Sequence, residues 1–248
     1  MIRDIQMREG VKLPPAKGEK RVATCQQVSC SACEIRALML FSGLNETQVA
    51  DLSLEVDECH FPPKSTLFEE KKEGDYLFSI KQGLVKLVRH SPSGEKRILR
   101  LLGQGSVIGI ELLAGEPCYT ESAFAISDTY ACQLPLMLVR KLEQQCIGIV
   151  DRLSEQWQQQ LHFSERTLVE LSTGPVRKRV IRLIRLLVEM QGNQYEKIWM
   201  LTTEDVASII GASVESASHV VAELKREKTI TRVAPHIFRV DKRALSRQ

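Results

Sequence analysis

Apolar residues along this chain repeat with two different periods. Between Phe61 and Pro135 they come in short runs, TLFEE, YLFSI, LVKLVRH, KRILRLLG, AFAISD and TYACQLP, rich in Val, Ile, Leu and Phe. Gly74, Gly83, Gly94, Gly103, Gly105 and Gly109 punctuate them. Short, evenly spaced runs with turn residues between them predict a compact antiparallel barrel or roll. Ser93-Gly94, between LVKLVRH and KRILRL, is its clearest hairpin turn.

Elsewhere the period is helical. Short helices are predicted over 45–55 and 136–144, and a longer one runs to about Ser172. On that longer helix Val150, Leu153, Trp157, Leu161, Ser164, Leu168 and Leu171 fall at steps of three or four, the seam of a two-stranded coiled coil. The opposite face carries Glu155, Gln158, Gln159, Glu165 and Arg166, so a single apolar stripe faces a partner or the chain's own roll. A parallel homodimer satisfies it. Gly174-Pro175 then breaks the helix ahead of a basic one, VRKRVIRLIRLLVEM, from Val176 to Met190.

The block from Thr203 to Lys228 has the spacing of two helices joined by a tight turn. Val206, Ala207, Ile209 and Ile210 form the inward face of the first, and Gly211 ends it. Ser213 is the N-cap of the second, which buries Val214, Ala217, Val221 and Leu224 and presents Glu215, Ser216, Ser218 and His219 outward. Two short strands, Ile230 to Val233 and Ile237 to Val240, follow around Ala234-Pro235-His236. Together these elements predict a winged helix-turn-helix. Charge agrees with a DNA target: the net charge is +3, but 174–248 hold 14 Lys and Arg against 8 Asp and Glu, or +6, leaving 3 minus 6, or −3, for the rest.

No apolar run reaches bilayer length and residues 1–24 lack the apolar segment of a secretion signal, so a cytoplasmic protein with no membrane partner is expected. Its seven cysteines are then expected to be reduced or metal-bound, not paired in disulfides. Cys25, Cys30 and Cys33 lie within nine residues of a mobile arm, a density that favours metal or cluster ligation over core filling.

A glycine-punctuated roll, a long helix, a hinge and a winged helix-turn-helix, in this order, resemble the CRP/FNR family of bacterial transcription regulators. YLFSIKQGLVKL, LLGQGSVIG and LTTEDVASIIGASVESASHVVAEL carry the resemblance, which spans residue 37 to the end. It implies an α+β fold: an arm over 1–36 with the cysteine cluster, an antiparallel β-roll of cyclic-nucleotide-binding type over 37–145, a dimerisation helix over 146–173 and a DNA-binding domain over 174–248. A cyclic-nucleotide pocket would need a Gly-Glu pair and an Arg-Ser pair. Gly109-Ile110 and Glu121-Ser122 stand there instead, which places a carboxylate against a phosphate and disfavours cyclic AMP.

The cysteines resemble the FNR branch, whose iron-sulfur cluster is held by three N-terminal thiolates and one from the roll. Cys30 and Cys33 fall on the first two positions, Cys132 falls on the roll position, and Met39 occupies the third N-terminal one. Cys25 substitutes for it, giving Cys25, Cys30, Cys33 and Cys132 as ligands of a 4Fe-4S cluster, with Cys118 able to replace Cys25 or Cys132. Zinc on the same thiolates, direct cysteine oxidation, no cofactor at all, and haem at Cys59-His60 stay open as alternatives. Cys59 and Cys146 are otherwise core thiols.

The resemblance also implies a roughly palindromic operator and RNA polymerase as a partner. The FNR-like reading pattern is Glu, two residues, Ser, Arg. Glu215 and Ser218 match it, and His219 stands where an arginine would fork onto guanine, so an altered preference is expected there. An enzyme is not expected: Cys30-Ser-Ala-Cys33 lacks the βαβ setting of a thiol oxidoreductase, and no phosphate loop, metalloprotease motif or nucleophile elbow occurs.

Overall fold

The computed structural model describes residues 23–27, 30, 33, 35, 38, 40–42, 44–52, 55–92, 94, 96–191 and 197–246. Met39 and Ser93, both invoked above, and most of the arm lie outside them. In chain order the first elements are β1 (Thr24–Gln27), α1 (Glu46–Leu52), β2 (Asp57–Phe61), β3 (Thr66–Phe68), β4 (Tyr76–Gln82), β5 (Val85–His90), β6 (Lys96–Leu102) and β7 (Val107–Ile108). There follow β8 (Ser122–Ala125), β9 (Thr129–Pro135), α2 (Leu136–Gln145), α3 (Ile147–Arg166), α4 (Val176–Met190) and β10 (Lys197–Trp199). The chain closes with α5 (Thr203–Ile210), α6 (Val214–Arg226), β11 (Ile230–Ala234), β12 (Ile237–Val240) and α7 (Lys242–Ser246).

Packing groups these elements into two compact units that do not follow linear order. Of the described residues, one takes those up to Val85 together with Gln104–Gln156, and the other takes those of Lys86–Gly103 and from Trp157 onward.

In the first unit, antiparallel pairings order five strands β1-β2-β9-β4-β7, and β3 pairs with β8. The fit between strands is close enough to dictate glycine. Gly83 sits at φ 103° between β4 and β5, where a Cβ would come 2.6 Å from the Asp128 carbonyl. Inside, Phe61, Phe68 and Phe78 join Tyr119 in an aromatic file, with Phe68 and Tyr119 stacked at 4.0 Å. A second apolar cluster collects Leu40, Leu44 and Val49 with Cys132, Leu134, Leu138, Val139, Ile149 and Leu153. α1 starts with a reciprocal cap: Gln48 N donates to Asn45 Oδ1 (2.9 Å) and Asn45 N to Gln48 Oε1 (3.1 Å).

α3 corrects the expected seam. Leu153 is 4% exposed and belongs to the roll's core, and Gln156 ties the same face down through Val107 N and Gly105 O. Leu171 is buried as well. Val150, Trp157, Leu161 and Leu168 stay exposed, Leu161 at 62% and Leu168 at 70%. The physical reason is that a helix on a roll must give one side to its own chain, so a three-and-four pattern wide enough for two faces divides between them.

The helix also does not remain regular to Ser172. Thr167–Leu171 form a π turn, and the Arg182 guanidinium donates to the Glu170 and Thr173 carbonyls at 2.7 and 3.1 Å just before Gly174, at φ 85°.

In the second unit α4, α5 and α6 pack together, and β10-β12-β11 form a three-stranded sheet beside them. α4 buries one stripe including Val180, Leu183, Ile184 and Leu187 and keeps its arginines half-buried beside it, where Arg179, Arg182 and Arg185 donate to neighbouring carbonyls, which is how it serves both core and caps. The hairpin of β5 and β6 belongs to this unit. Ile98 N donates to Ser208 Oγ at 3.2 Å, and Lys86 Nζ meets Asp205 at 2.5 Å. No described helix is long and apolar enough to cross a membrane.

Candidate thiol centre and nucleic-acid interface

Strand register sorts the cysteines. Cys25 on β1 lies opposite Cys59 on β2, Cys59 lies opposite Ala131 on β9, and Cys132 lies opposite Glu58. Because successive side chains leave a strand on opposite faces, Cys25 and Cys59 share one face of the sheet while Cys132 and Glu58 share the other. Cys25 and Cys59 are joined in a disulfide. Three expectations are thereby corrected. The cysteines are not all unpaired, Cys25 cannot join Cys132 in one ligand set while β1 is paired, and the Cys59 sulfur is not available to a haem at Cys59-His60. His60 itself stacks on Tyr130 and pairs with Asp128 at 3.3 Å.

The other face gathers Cys30, Cys33 and Cys132. Cys33 N donates to Cys30 O at 3.4 Å, closing a tight turn, and Cys30 packs against the cluster that contains Cys132. Burial pushes the Cys132 thiol up to about 12, and negative charge on Cys30, Glu58 and Cys33 adds to the shift, so these groups are electrostatic neighbours. Lys81 Nζ donates to Glu58 Oε2 at 2.5 Å, and that bond first, then the charges of Glu58, Cys33 and Cys132, raise the pKa of its ammonium against the opposing effect of burial. Cys118 pairs with Glu73 in an isolated bridge of the roll, and Cys146 accepts from Gln48 Nε2 at 2.8 Å. Among the described residues no three His, Cys, Asp or Glu side chains converge tightly enough for a single metal ion.

At the expected nucleotide position, Gly109 at φ 82° opens a 3-10 turn, Ile110–Leu112. Ile110 is core, and the carboxylate of this turn is Glu111, whose Oε1 accepts from Thr120 N at 3.4 Å. It lies one residue beyond the Gly109-Ile110 pair. Glu121 is buried beside Ser122, whose Oγ accepts from Glu70 N at 2.9 Å. Tyr119 donates to the Tyr76 carbonyl at 2.7 Å.

The helix-turn-helix stands as read for most of its residues. Thr202 caps α5, Gly211 at φ 63° ends it, and Arg179 Nη1 donates to the carbonyls of Ile210 (2.5 Å) and Gly211 (3.2 Å). Ser213 Oγ accepts from Ser216 N at 3.2 Å, so it is the N-cap of α6. Glu215, Ser216, Ser218 and His219 are exposed. Val214 is a correction: it is 46% exposed, and Val220 is buried in addition to Ala217, Val221 and Leu224. As first residue of α6 it lies before the packed turn. His219 Nδ1 lies 3.4 Å from Glu223 Oε1, whose other oxygen accepts from Arg177 Nη1 at 3.2 Å. The wing has a third strand, β10, too short to stand out in sequence.

Comparison with known proteins agrees with this geometry. The "Cyclic nucleotide-binding domain" family matches residues 58–146 and the "Crp-like helix-turn-helix domain" matches 181–248. A CRP-like cAMP-activated global transcriptional regulator of Mycobacterium tuberculosis is 25% identical over 84% of this chain and 95% of its own length. The cyclic AMP receptor protein of Thermus thermophilus is 29% identical over 83% of this chain and 94% of its own. Among solved structures, FixK2 from Bradyrhizobium japonicum superposes with a TM-score of 0.67 at 15% identity, covering 77% of this chain and 96% of that one. The first of these is named as a transcriptional regulator. A cyclic-nucleotide-type roll followed by a Crp-like helix-turn-helix in one chain makes this protein a member of the CRP/FNR family of transcription regulators.

Proposed function

We propose that this regulator is a cytoplasmic homodimer that senses redox state, O₂ or nitric oxide through an iron-sulfur cluster and binds a roughly palindromic operator to act on RNA polymerase. The observation that carries the sensing half is the convergence of Cys30, Cys33 and Cys132 on one face of the sheet. Thiolates are the donors such clusters take, and three of them lie together here in the order Cys30, Cys33 and Cys132. Glu58, directly opposite Cys132, is held by Lys81 and places a carboxylate-ammonium pair beside these thiols. The cluster supplies sensitivity to oxidants. The chain's own part is to exclude water around Cys132 and to hold Cys30 and Cys33 in one turn.

The exposed stripe of Val150, Trp157, Leu161 and Leu168 supports the dimer. In a dimer, two copies of α6 would enter successive major grooves, with Glu215, Ser216, Ser218 and His219 near base edges and Ser213 beside the backbone. Glu121 at the second nucleotide position supports a sensor that does not use cyclic AMP.

Anaerobic purification with iron, sulfide and zinc analysis tests the sensor. Iron and acid-labile sulfide in near-equal amounts, with a visible absorption band that O₂ removes, are expected. Colourless protein without iron would defeat the proposal, and so would stoichiometric zinc.

A further inference from the structure

We infer that Cys25 and Cys59 form a reversible thiol-disulfide site that latches the N-terminal arm onto the edge of the sheet. Among the described strands β1 is the outermost of its sheet and is paired with β2. Thr24, Gln26 and Gln27 are exposed, so the strand contributes little apolar burial of its own. Ladder hydrogen bonds of a four-residue edge strand are a weak hold, and the bond between Cys25 and Cys59 is its covalent reinforcement. The environment also suits the reduced state. The Gln133 amide oxygen lies 3.3 Å from Cys59 Sγ and 3.9 Å from Cys25 Sγ, ready to accept an S–H from either when the bond opens.

The two sulfurs differ in access. Cys59 is fully buried and Cys25 is only partly buried. A low-molecular-weight thiol such as glutathione therefore attacks Cys25 Sγ as its thiolate, and the S–S bond breaks with its electron pair passing to Cys59, which takes up a proton. A second thiol displaces Cys25 from the mixed disulfide. Two thiols are thus oxidised to their disulfide, and Cys25 and Cys59 gain two electrons and two protons. Glutathione disulfide runs the same exchange backwards. In a thiol-reducing compartment the latch is open by default and closes under oxidative load.

Release of β1 acts on the segment that follows it, because Cys30 lies five residues after Cys25 and Cys33 three further on. The site therefore couples a two-electron thiol signal to the arm that carries two of the three converging thiols. It does not require that a cluster be bound.

The test uses the full chain in anaerobic glutathione buffers of graded oxidation, with free thiols trapped by N-ethylmaleimide and peptides mapped by mass spectrometry. Hydrogen exchange is followed in parallel over Thr24–Gln27. A linked Cys25–Cys59 peptide is expected in oxidised buffer. It should give way to two labelled peptides in reduced buffer, Cys25 labelling first, while exchange in β1 rises about tenfold. Cys25→Ser should show the faster exchange in every buffer. The inference is overturned if both thiols label at every glutathione ratio, if the linked peptide survives full reduction, or if reduction leaves exchange unchanged. Iron assayed in the same samples keeps the two ideas apart: redox-dependent linkage in iron-free protein upholds the latch while defeating the cluster, and iron with both thiols labelled throughout does the reverse.

Discussion

Cys132 stands directly opposite Glu58 across the pairing of β9 with β2, and Lys81 holds the Glu58 carboxylate at 2.5 Å. The thiol thus faces a fixed carboxylate-ammonium pair on one side of the sheet, whereas Cys59, one residue along β2, faces the other. Cys132→Ser should strip iron from anaerobically purified protein, as should Cys30→Ala and Cys33→Ala. Cys118→Ser, in the Glu73 bridge, should retain it. Iron and sulfide content per chain is the measurement, and retention of a full complement by Cys132→Ser would refute the ligand role.

Trp157 and Leu161 expose apolar surface on a helix whose other side is already packed. Leu161→Glu should leave the fold intact and convert dimer to monomer in light scattering. Loss of two-site engagement should then weaken operator binding on the order of a hundredfold. A dimeric Leu161→Glu protein would show that contact lies elsewhere.

His219 is drawn back along α6 toward Glu223, a residue it shares with Arg177. An arginine at this position can reach two acceptors on guanine at once, which an imidazole cannot. His219→Arg should therefore sharpen discrimination at one base pair of each half-site by about 1 to 3 kcal/mol. Selection from random DNA by both proteins, followed by anisotropy titrations, reads the change, and identical selected sites would count against it.

The Tyr119 hydroxyl donates to the Tyr76 carbonyl, and burial, the largest influence, pushes its phenol well above the usual tyrosine range despite that bond. A folded value above the unfolded one means that the contribution is complete below the unfolded value of about 10 and fades as pH rises beyond it. Urea unfolding should show the wild type losing stability above that pH more steeply than Tyr119→Phe. At neutral pH Tyr119→Phe should cost about 1 kcal/mol.

Gly83 has no room for a side chain: the added Cβ would meet the Thr129 and Asp128 backbone at 2.7 and 2.6 Å, at φ 103°. Gly83→Ala should lower stability by more than about 2 kcal/mol, through strain and displaced backbone together. Gly94→Ala, with no atom within 4 Å, should cost less, and thermal melts of the two variants compare them.

These contrasts show what the chain states locally and what it leaves to packing. α4 and α5 could be read to within a residue because periodic apolar positions, a capping threonine and Gly211 all mark the same boundaries. β1 could not. Its residues Thr24, Cys25, Gln26 and Gln27 show no apolar alternation, since an exposed edge strand is specified by the neighbour it pairs with. Missing β1 meant missing the face on which Cys25 lies, and with it the division of the thiols. The seam departs at two of its positions for the opposite reason. Leu153 and Leu171 obey the coiled-coil period, but that period does not distinguish a partner's surface from the chain's own.

The π turn at Thr167–Leu171 adds a geometric consequence. A π turn takes one residue more than an α turn to advance by the same arc, so it absorbs a residue without changing the phase in which the chain reaches Gly174-Pro175. Removing a single residue from 167–171 would let the helix close in ordinary α geometry and keep that phase, whereas removing one from the regular turns of α3 would rotate everything beyond it by about 100°. This turn is thus the place where the chain can change length by one residue and still bring the Glu170 and Thr173 carbonyls to Arg182.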